Sequence, residues 1–198
     1  MKSRRVEIQR ETSETTISLQ LDLDGQGEAH VNTGLGFLDH LMVTLAKHAR
    51  FDLRLACKGD LRVDDHHSAE DCGIALGQAL RRALGDCAGI RRFGFAYAPL
   101  DEALARAVVD ISGRPFADLS LGLAREELGD LACENVDHVL RSFAFAGDIT
   151  LHVDVPKGIN DHHRAEAAFK AVALALKDAV AGAGRVDIPS TKGKIERG

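Results

Sequence analysis

A six-residue pattern, Asp-His-His-x-x-Glu, occurs twice in this chain of 198 residues, at 65–70 and again at 161–166. The similarity continues beyond the pattern, because nine of nineteen positions are identical when residues 65–83 are aligned with residues 161–179. Self-similarity at a fixed offset is the signature of a repeated structural unit. The chain is therefore predicted to be an internal duplication whose two halves fold alike.

Each copy of the pattern is preceded by another histidine, which belongs to an Asp-His pair. His40 lies 26 residues before His66, and His138 lies 24 residues before His162. Each half thus contains an Asp-His pair followed by the Asp-His-His-x-x-Glu pattern. Three other histidines have no counterpart in the other half and are expected to be ordinary structural residues: His30, His48 and His152.

Hydrophobic periodicity predicts the secondary structure of the two halves. Apolar residues recur at helical spacing in 36–48 and 135–146. They alternate at strand spacing in 51–57 and 148–155. Further strand candidates precede these units at 15–25 and 105–112. Each half therefore has strand candidates followed by helix, strand and helix, the last helix starting at the pattern.

This order of elements predicts an α+β fold with an internally duplicated β-sheet/helix unit. The halves are residues 1–90 and 91–198, joined near residues 85–92 and packed as one compact protomer with helices on one face of each sheet. The helices after the two patterns are rich in alanine and carry small residues such as Gly73 and Gly77. Close contact between helices is expected, either within the protomer or between subunits.

Composition argues against several classes of protein. With 45% hydrophobic residues the chain can form a substantial core. The four cysteines are spread singly, so neither a disulfide framework nor a thiolate zinc site is indicated. No apolar run approaches membrane-spanning length, and the charged N-terminal segment lacks the apolar region of a signal peptide. We expect a soluble cytoplasmic protein with no membrane partner.

The charge and the aromatic content argue against nucleic acid as a partner. The formal net charge is −5, and the chain has one tyrosine and no tryptophan. Surfaces that bind nucleic acid need clustered basic side chains and aromatic rings for stacking. We therefore expect no nucleic-acid binding.

The duplicated pattern is suited to holding metal ions. At the start of a helix, His66 and Glu70 are four residues apart and share a face, whereas His67 is rotated away by about 100°. The second copy repeats this relation, so each pattern points in two directions. Asp65 and Asp161 are interpreted as helix N-caps or as acceptors for a ring N–H, not as metal ligands.

Six imidazoles and two carboxylates divide naturally into two sites of four protein ligands. Imidazole with carboxylate and without thiolate suits a divalent transition metal such as Mn, Fe, Co, Ni or Zn, whereas Ca and Mg prefer oxygen ligands. The candidate ligands are His40, His66, His67, Glu70, His138, His162, His163 and Glu166.

Seven segments of the chain together form a specific signature. They are GFLDHLM at 36–42, DDHHSAEDC at 64–72, RRFGFAYAPLDEAL at 91–104, DISGRP at 110–115, ENVDHVLRSF at 134–143, NDHHRAEAAFKA at 160–171 and PSTKGKIER at 189–197. In this order they resemble the imidazoleglycerol-phosphate dehydratase family of histidine biosynthesis, over nearly the whole chain. The resemblance implies halves that are similar to domain 2 of ribosomal protein S5.

The resemblance also implies a manganese enzyme with two Mn²⁺ ions per active site. It implies a homo-oligomer of 24 subunits built from trimers, in which one active site takes ligands from more than one subunit. One metal site would use His66, Glu70, His138 and His163. The other would use His40, His67, His162 and Glu166. The helix-face geometry of the two patterns agrees with this division.

The implied reaction removes water from D-erythro-imidazole-glycerol phosphate to give imidazole acetol phosphate. The leaving hydroxyl has no neighbouring carbonyl, so the imidazole ring must serve as the electron reservoir, held at both nitrogens by metal ions. Glu14 is the preferred candidate for the base, with Glu70 and Glu166 as alternatives.

A phosphorylated imidazole substrate also needs fixed cations near its phosphate. The family resemblance implies the substrate-binding residues Glu14, Arg92, Arg114, Lys170, Ser190, Thr191 and Lys192. On this interpretation the STK segment near the C-terminus contacts substrate and is not a frayed end. Asp101 and Glu102 are expected to have a structural role.

Two other functions fit the same residues. Paired metal ions also activate water in dinuclear hydrolases, which would release inorganic phosphate from a phosphorylated substrate. Alternatively, the metal ions could be structural cross-links in a large assembly, since sites that are shared between subunits couple binding to assembly.

Overall fold

The structure, a computed structural model, describes residues 3–195. The strands within this range are β1 Arg5–Glu11, β2 Thr15–Asp22, β3 Ala29–Asn32, β4 Asp52–Gly59, β5 Phe93–Leu100, β6 Ala103–Asp110, β7 Phe116–Ser120, β8 Glu127–Leu128, β9 Leu131–Ala132 and β10 Thr150–Lys157. The helices are α1 Gly36–Ala49, α2 His66–Leu84, α3 Cys133–Ala146 and α4 Asp161–Val180.

The strands follow from alternation of side chains between a buried and an exposed face. In β2, Ile17, Leu19 and Leu21 are buried, while the residues between them are exposed or half-buried. A period of two residues places one set of side chains on each face of a sheet. The buried sets of both sheets contribute to one continuous hydrophobic core.

The two sheets have the same topology. Their strand orders are β1-β2-β4-β3 and β5-β6-β10-β7. In each sheet the first three strands are antiparallel, and the last pair, β3 with β4 or β7 with β10, is parallel. A helix connects the two strands of each parallel pair, as parallel pairing requires a crossover. The predicted duplication of a β-sheet/helix unit is confirmed.

The four helices pack across the boundary between the halves. Within its own half, α2 covers the first sheet and α4 covers the second. The closest helix pairs, however, join different halves, because α2 packs on α3 and α1 packs on α4. The helices thus lie on one face of each sheet, as predicted, and each helix pair brings side chains from both halves together.

Glycine residues in α2 allow the backbones of α2 and α3 to come into direct contact. A Cβ atom at Gly77 would lie 2.4 Å from the carbonyl oxygen of Phe143, and one at Gly73 would lie 2.6 Å from that of Val139. The close helix contact that these glycines predict is therefore made within the protomer.

Periodicity alone missed several strands. β1, β3, β5 and β7 were not predicted, and neither was the short β8–β9 hairpin that precedes α3. β3 and β7 lie at sheet edges and have only four and five residues. A strand of this length has too few residues for an alternating pattern to be recognised. Within residues 3–195, no helix combines the length and apolar character needed to cross a bilayer.

The glycine contact generates a prediction. Gly77→Ala should destabilise the protein by about 1–3 kcal/mol, because the added methyl group meets backbone atoms that cannot move independently. This steric cost should exceed the gain in helix stability of about 1 kcal/mol that replacing glycine by alanine normally gives. Urea unfolding measures the difference. Gly182→Ala is the control, because no atom of residues 3–195 lies within 4 Å of a Cβ at that position; equal stability of the two variants would contradict the prediction.

Candidate functional site

The α2–α3 contact assembles a cluster of His66, Glu70 and His138, called here the first cluster. His66 Nε2 lies 3.8 Å from Glu70 Oε2, and His138 Nε2 lies 3.4 Å from Glu70 Oε1. The two imidazole rings stack with centroids 4.8 Å apart. One ligand atom from each residue lies within 4.8 Å of the others, a spacing at which all three could bind one metal ion.

The α1–α4 contact assembles the equivalent group, His40, His162 and Glu166, called here the second cluster. Both histidines point Nε2 at Glu166 Oε2, at 3.0 Å from His40 and 3.2 Å from His162. The rings of Phe37 and His162 pack against each other at an interplanar angle of 64°, with centroids 5.1 Å apart. The second cluster also meets the spacing required for a common metal ion.

The remaining two candidate ligands, His67 and His163, belong to neither cluster. Each ring is nearly perpendicular to that of the preceding histidine, at 79° for His67 and 89° for His163. They are called here the outward histidines. Their direction follows from the rotation of about 100° between successive helix residues.

Carboxylates surround each outward histidine. His67 Nδ1 lies 3.1 Å from Asp60 Oδ2, and His67 Nε2 lies 3.6 Å from Glu14 Oε1. The hydrogen bond to Asp60 raises the pKa of His67 against the opposing effect of desolvation, and the nearby charge of Glu14 adds a smaller increase. Glu14 lies between β1 and β2, so it reaches the pattern from the adjacent strand connection.

The second outward histidine has the corresponding surroundings. His163 Nδ1 lies 2.7 Å from Glu102 Oε2, and His163 Nε2 lies 4.0 Å from Asp101 Oδ2. The hydrogen bond with His163, followed by those from the backbone N–H groups of Asn160 and Ile159, lowers the pKa of Glu102 to about 2. The same contact raises the pKa of His163.

Glu166 is held in its ionised form. Burial raises the pKa of this carboxyl, but hydrogen bonds from Lys170 and His40 outweigh burial and lower the pKa to about 2. Lys170 Nζ lies 2.8 Å from Glu166 Oε1, one helical turn away. An ionised carboxylate between two imidazoles is an anionic site for a cation.

The donor atoms fit a divalent transition metal. Each cluster offers two imidazole nitrogens and one carboxylate, without thiolate. Nε2 of His138 is buried and has no hydrogen-bond partner within residues 3–195. Buried polar atoms are rarely left without a partner, so a ligand that accepts this lone pair would satisfy it.

Supporting contacts of the two patterns differ from those predicted. Among residues 3–195, neither Asp65 nor Asp161 accepts a hydrogen bond that caps its helix or one from a ring N–H, and the side chain that caps α4 is that of Asn160. Instead, Asp65 accepts from the backbone N–H of Ala132, and Asp161 accepts from that of Arg125. They tie the segment before α3 to the starts of α2 and α4. The acceptor beside His66 Nδ1 is Asn135 Oδ1, at 3.1 Å.

Four of the predicted substrate-binding residues line one small cavity. Its volume is about 60 Å³, and its lining includes Ser112 and Lys194, which were not predicted. Serine hydroxyls and basic side chains around a small space are suited to a phosphate group. The predicted residues that line it are Arg92, Arg114, Ser190 and Lys192.

Arg92 anchors the C-terminal segment to this cavity. Its guanidinium donates to both oxygens of Asp110, at 2.6 and 3.1 Å, and to the carbonyl oxygen of Pro189, at 2.8 Å. Arg92 also has a φ of 75°, which is uncommon for a residue with a side chain. Its donors are thus directed at protein acceptors, and the segment 189–195 lies beside it.

The other three predicted substrate contacts lie elsewhere. Glu14 faces His67, Lys170 pairs with Glu166 of the second cluster, and Thr191 does not line the cavity. His30, His48 and His152 join neither cluster. The last two residues of the PSTKGKIER segment lie outside the residues that the structure describes.

Comparison with known proteins identifies the family. The family model described as "Imidazoleglycerol-phosphate dehydratase" matches residues 33–176. The chain belongs to the imidazoleglycerol-phosphate dehydratase family. A curated family member from Candida glabrata is 54% identical over 95% of this chain and 98% of its own length. One from Candida albicans is 50% identical over 98% of this chain and 100% of its own length.

Solved structures of imidazoleglycerol-phosphate dehydratases have the same fold. The enzyme from Pyrococcus furiosus matches with a TM-score of 0.82 and 33% identity, over 94% of this chain and 99% of the other. The enzyme from Staphylococcus aureus matches with a TM-score of 0.79 and 37% identity, over 90% and 99%. The sequence-based assignment to a hydro-lyase family of histidine biosynthesis is confirmed.

The anchoring role of Arg92 can be tested by proteolysis. Arg92→Lys should speed trypsin cleavage after Lys192 and Lys194 about tenfold, equivalent to about 1.4 kcal/mol, because lysine cannot replace the forked contact with Asp110 and Pro189. Mass spectrometry of the fragments measures the rate. Arg91→Lys is the control, since the side-chain contact of Arg91 with Asp178, at 3.5 Å, is exposed. Equal cleavage rates for the two variants would exclude this role.

Proposed function

We propose that the chain converts D-erythro-imidazole-glycerol phosphate to imidazole acetol phosphate and water, with two Mn²⁺ ions bound in each active site. The observation that carries this proposal is the pair of equivalent His-His-Glu clusters. Family membership supports the class of reaction, and the duplicated donor sets support two metal ions per site.

The residues that would hold the metal ions are those of the two clusters, each with one outward histidine. Within one chain each cluster supplies three ligand atoms, and the outward histidines face away from them. The fourth ligand of each site would therefore come from a neighbouring subunit, His163 for the first cluster and His67 for the second. When bound, metal ions would supply Lewis-acid polarisation of the substrate's imidazole ring.

Shared ligands support assembly. A protomer that carries two incomplete sites and two unused ligands can satisfy all of them only in a closed arrangement of copies. We propose a homo-oligomer of 24 subunits built from trimers, with active sites between subunits, in the cytoplasm. Metal binding would then stabilise the assembly, because the ion binds only where two subunits meet.

Glu14 is the residue best placed to act as the base. The C–O bond at the carbon attached to the ring breaks, and the hydroxyl leaves as water after it gains a proton. Glu14 accepts the proton from the next carbon, and the resulting enol becomes the ketone by losing its hydroxyl proton and gaining a proton at the carbon attached to the ring. The two protons released balance the two taken up by the leaving hydroxyl and by that carbon. Glu14 is half-exposed and lies 3.6 Å from the outward His67, beside the ring site but outside the clusters.

Glu70 and Glu166 are less suited to this step. Glu70 lies between two histidines of the first cluster, and Glu166 accepts hydrogen bonds from Lys170 and His40. A carboxylate whose oxygens already face cationic or metal-binding partners is a weak base. Both residues are better assigned as metal ligands.

The cation-lined cavity would bind the substrate's phosphate. Arg114 and Lys192 supply positive charge there, and Ser190 supplies a hydroxyl. Arg92 holds Pro189 and so positions the segment that contains Ser190, Thr191 and Lys192. Lys170 would act at the second cluster, through Glu166. The phosphate would thus be fixed at a distance from the reacting carbons, which orients the substrate.

Product analysis with added Mn²⁺ tests the reaction. We expect imidazole acetol phosphate to form with Mn²⁺ and to disappear after chelation, with activity restored by added Mn²⁺. Release of inorganic phosphate instead would indicate a hydrolase. Turnover that persists in a His66→Ala variant, with chelation only dissolving the assembly, would indicate structural metal ions. Either result would reject the proposal.

The role of Glu14 predicts a specific defect. Glu14→Gln should lower kcat by about 10²–10⁴-fold, the usual contribution of a general base, and leave two Mn²⁺ bound per chain. Steady-state kinetics and metal analysis measure the two effects. Glu11→Gln is the control, because Glu11 is an exposed acid at the end of β1, three residues before Glu14. A Glu14→Gln enzyme with unchanged kcat would remove Glu14 from this role.

A further inference from the structure

The two outward histidines share a contact that the proposed mechanism does not use. Nδ1 of His67 lies 3.1 Å from Asp60 Oδ2 and 3.2 Å from Asp60 Oδ1. Nδ1 of His163 lies 2.7 Å from Glu102 Oε2. Each outward ring is therefore held at one nitrogen by a carboxylate.

This contact selects a tautomer. An ionised carboxylate only accepts hydrogen bonds, so Nδ1 of a neutral ring beside it carries the proton. Nε2 then has the free lone pair that a metal ion requires. We propose that Asp60 and Glu102 are positioning residues that direct Nε2 of His67 and His163 toward metal sites of neighbouring subunits. This inference rests on the proposed function, because it assumes that metal ions bind there.

The two halves reach the same contact by different routes. Asp60 precedes His67 by seven residues, on the connection between β4 and α2. The residue seven positions before His163 is Pro156, which has no carboxylate. In the second half the acid comes from the connection between β5 and β6. The position in the first half that corresponds to Glu102 is Glu14, which also directly precedes the second strand of its hairpin but faces Nε2 of His67, at 3.6 Å. The contact at Nδ1 is therefore made by Asp60 in the first half, from a position that the duplication alone does not account for.

Glu102 is itself fixed in place. Its Oε1 accepts from the backbone N–H groups of Ile159 and Asn160, at 3.2 and 2.9 Å. Its other oxygen, Oε2, is the atom that faces His163. One carboxylate oxygen therefore binds the backbone that precedes α4, and the other binds the imidazole of His163.

Because the two oxygens of Glu102 have different partners, one substitution can change the contact with His163 and keep the contacts with the backbone. In Glu102→Gln, the amide oxygen can keep the hydrogen bonds from Ile159 and Asn160, while the amide NH₂ replaces Oε2. A donor then faces Nδ1 of His163, so Nδ1 must accept and the ring proton moves to Nε2. If Glu102 only stabilised the local chain, the substitution would change little.

The experiment is Mn²⁺ titration of the full-length assembled protein by equilibrium dialysis with metal analysis. We expect two Mn²⁺ per chain in the wild type. In Glu102→Gln, one site should keep its affinity and the other should weaken by about 10–100-fold, the usual effect of losing such a contact. The thermal unfolding temperature of the metal-free variant should stay close to that of the wild type.

Two further variants complete the test. Asp60→Ala should weaken one site per chain through His67, and the double variant with Glu102→Gln should weaken both. Asp118→Asn is the matched control, because Asp118 lies 3.6 Å from His152, a histidine outside both clusters. It should leave both sites unchanged.

The outcomes separate this inference from the proposed function. If the wild type binds two Mn²⁺ and both Glu102→Gln and Asp60→Ala keep full affinity, the positioning role is overturned while the proposed function stands. If the wild type binds no Mn²⁺, the proposed function fails and this inference fails with it. If Glu102→Gln does not fold, the Asp60→Ala result decides.

Discussion

The close packing of helices from opposite halves is the constraint on which the rest of the structure depends. Backbone contact between α2 and α3 is possible because Gly73 and Gly77 have no side chain, and α1 meets α4 in the corresponding position. Each contact places a histidine from one half beside a His-x-x-x-Glu face from the other. Neither half alone contains a complete cluster, so each cluster forms only where the two halves pack together.

The same helices also separate two of the eight candidate ligands from the clusters. Consecutive histidines on a helix differ in direction by about 100°, so the first one joins a cluster and the second one cannot. Each chain thus presents two three-ligand clusters and two outward histidines. The carboxylates of Asp60 and Glu102 hold the outward rings in place within the single chain. On the proposed function, one geometric property of the helix explains both the metal sites and the assembly.

Much of this could be predicted from sequence, because the repeat carries the information. The helices around His40 and His138, the strand before each pattern and the α+β class all followed from periodicity and from the duplication. The short edge strands β3 and β7 could not be found in this way. Contacts between distant segments were also out of reach, since no local pattern links Glu102 to His163. The actual partners of Asp65 and Asp161 were missed for the same reason.

The central claim is that each metal ion is held by a cluster from one chain and an outward histidine from another. Anomalous diffraction at the manganese edge, from crystals of the Mn²⁺-loaded assembly, tests it most directly. We predict two manganese peaks per chain, one between His66, Glu70 and His138 and a neighbour's His163, the other between His40, His162 and Glu166 and a neighbour's His67. Four protein ligands from a single chain at either peak, or peaks away from these clusters, would contradict the account.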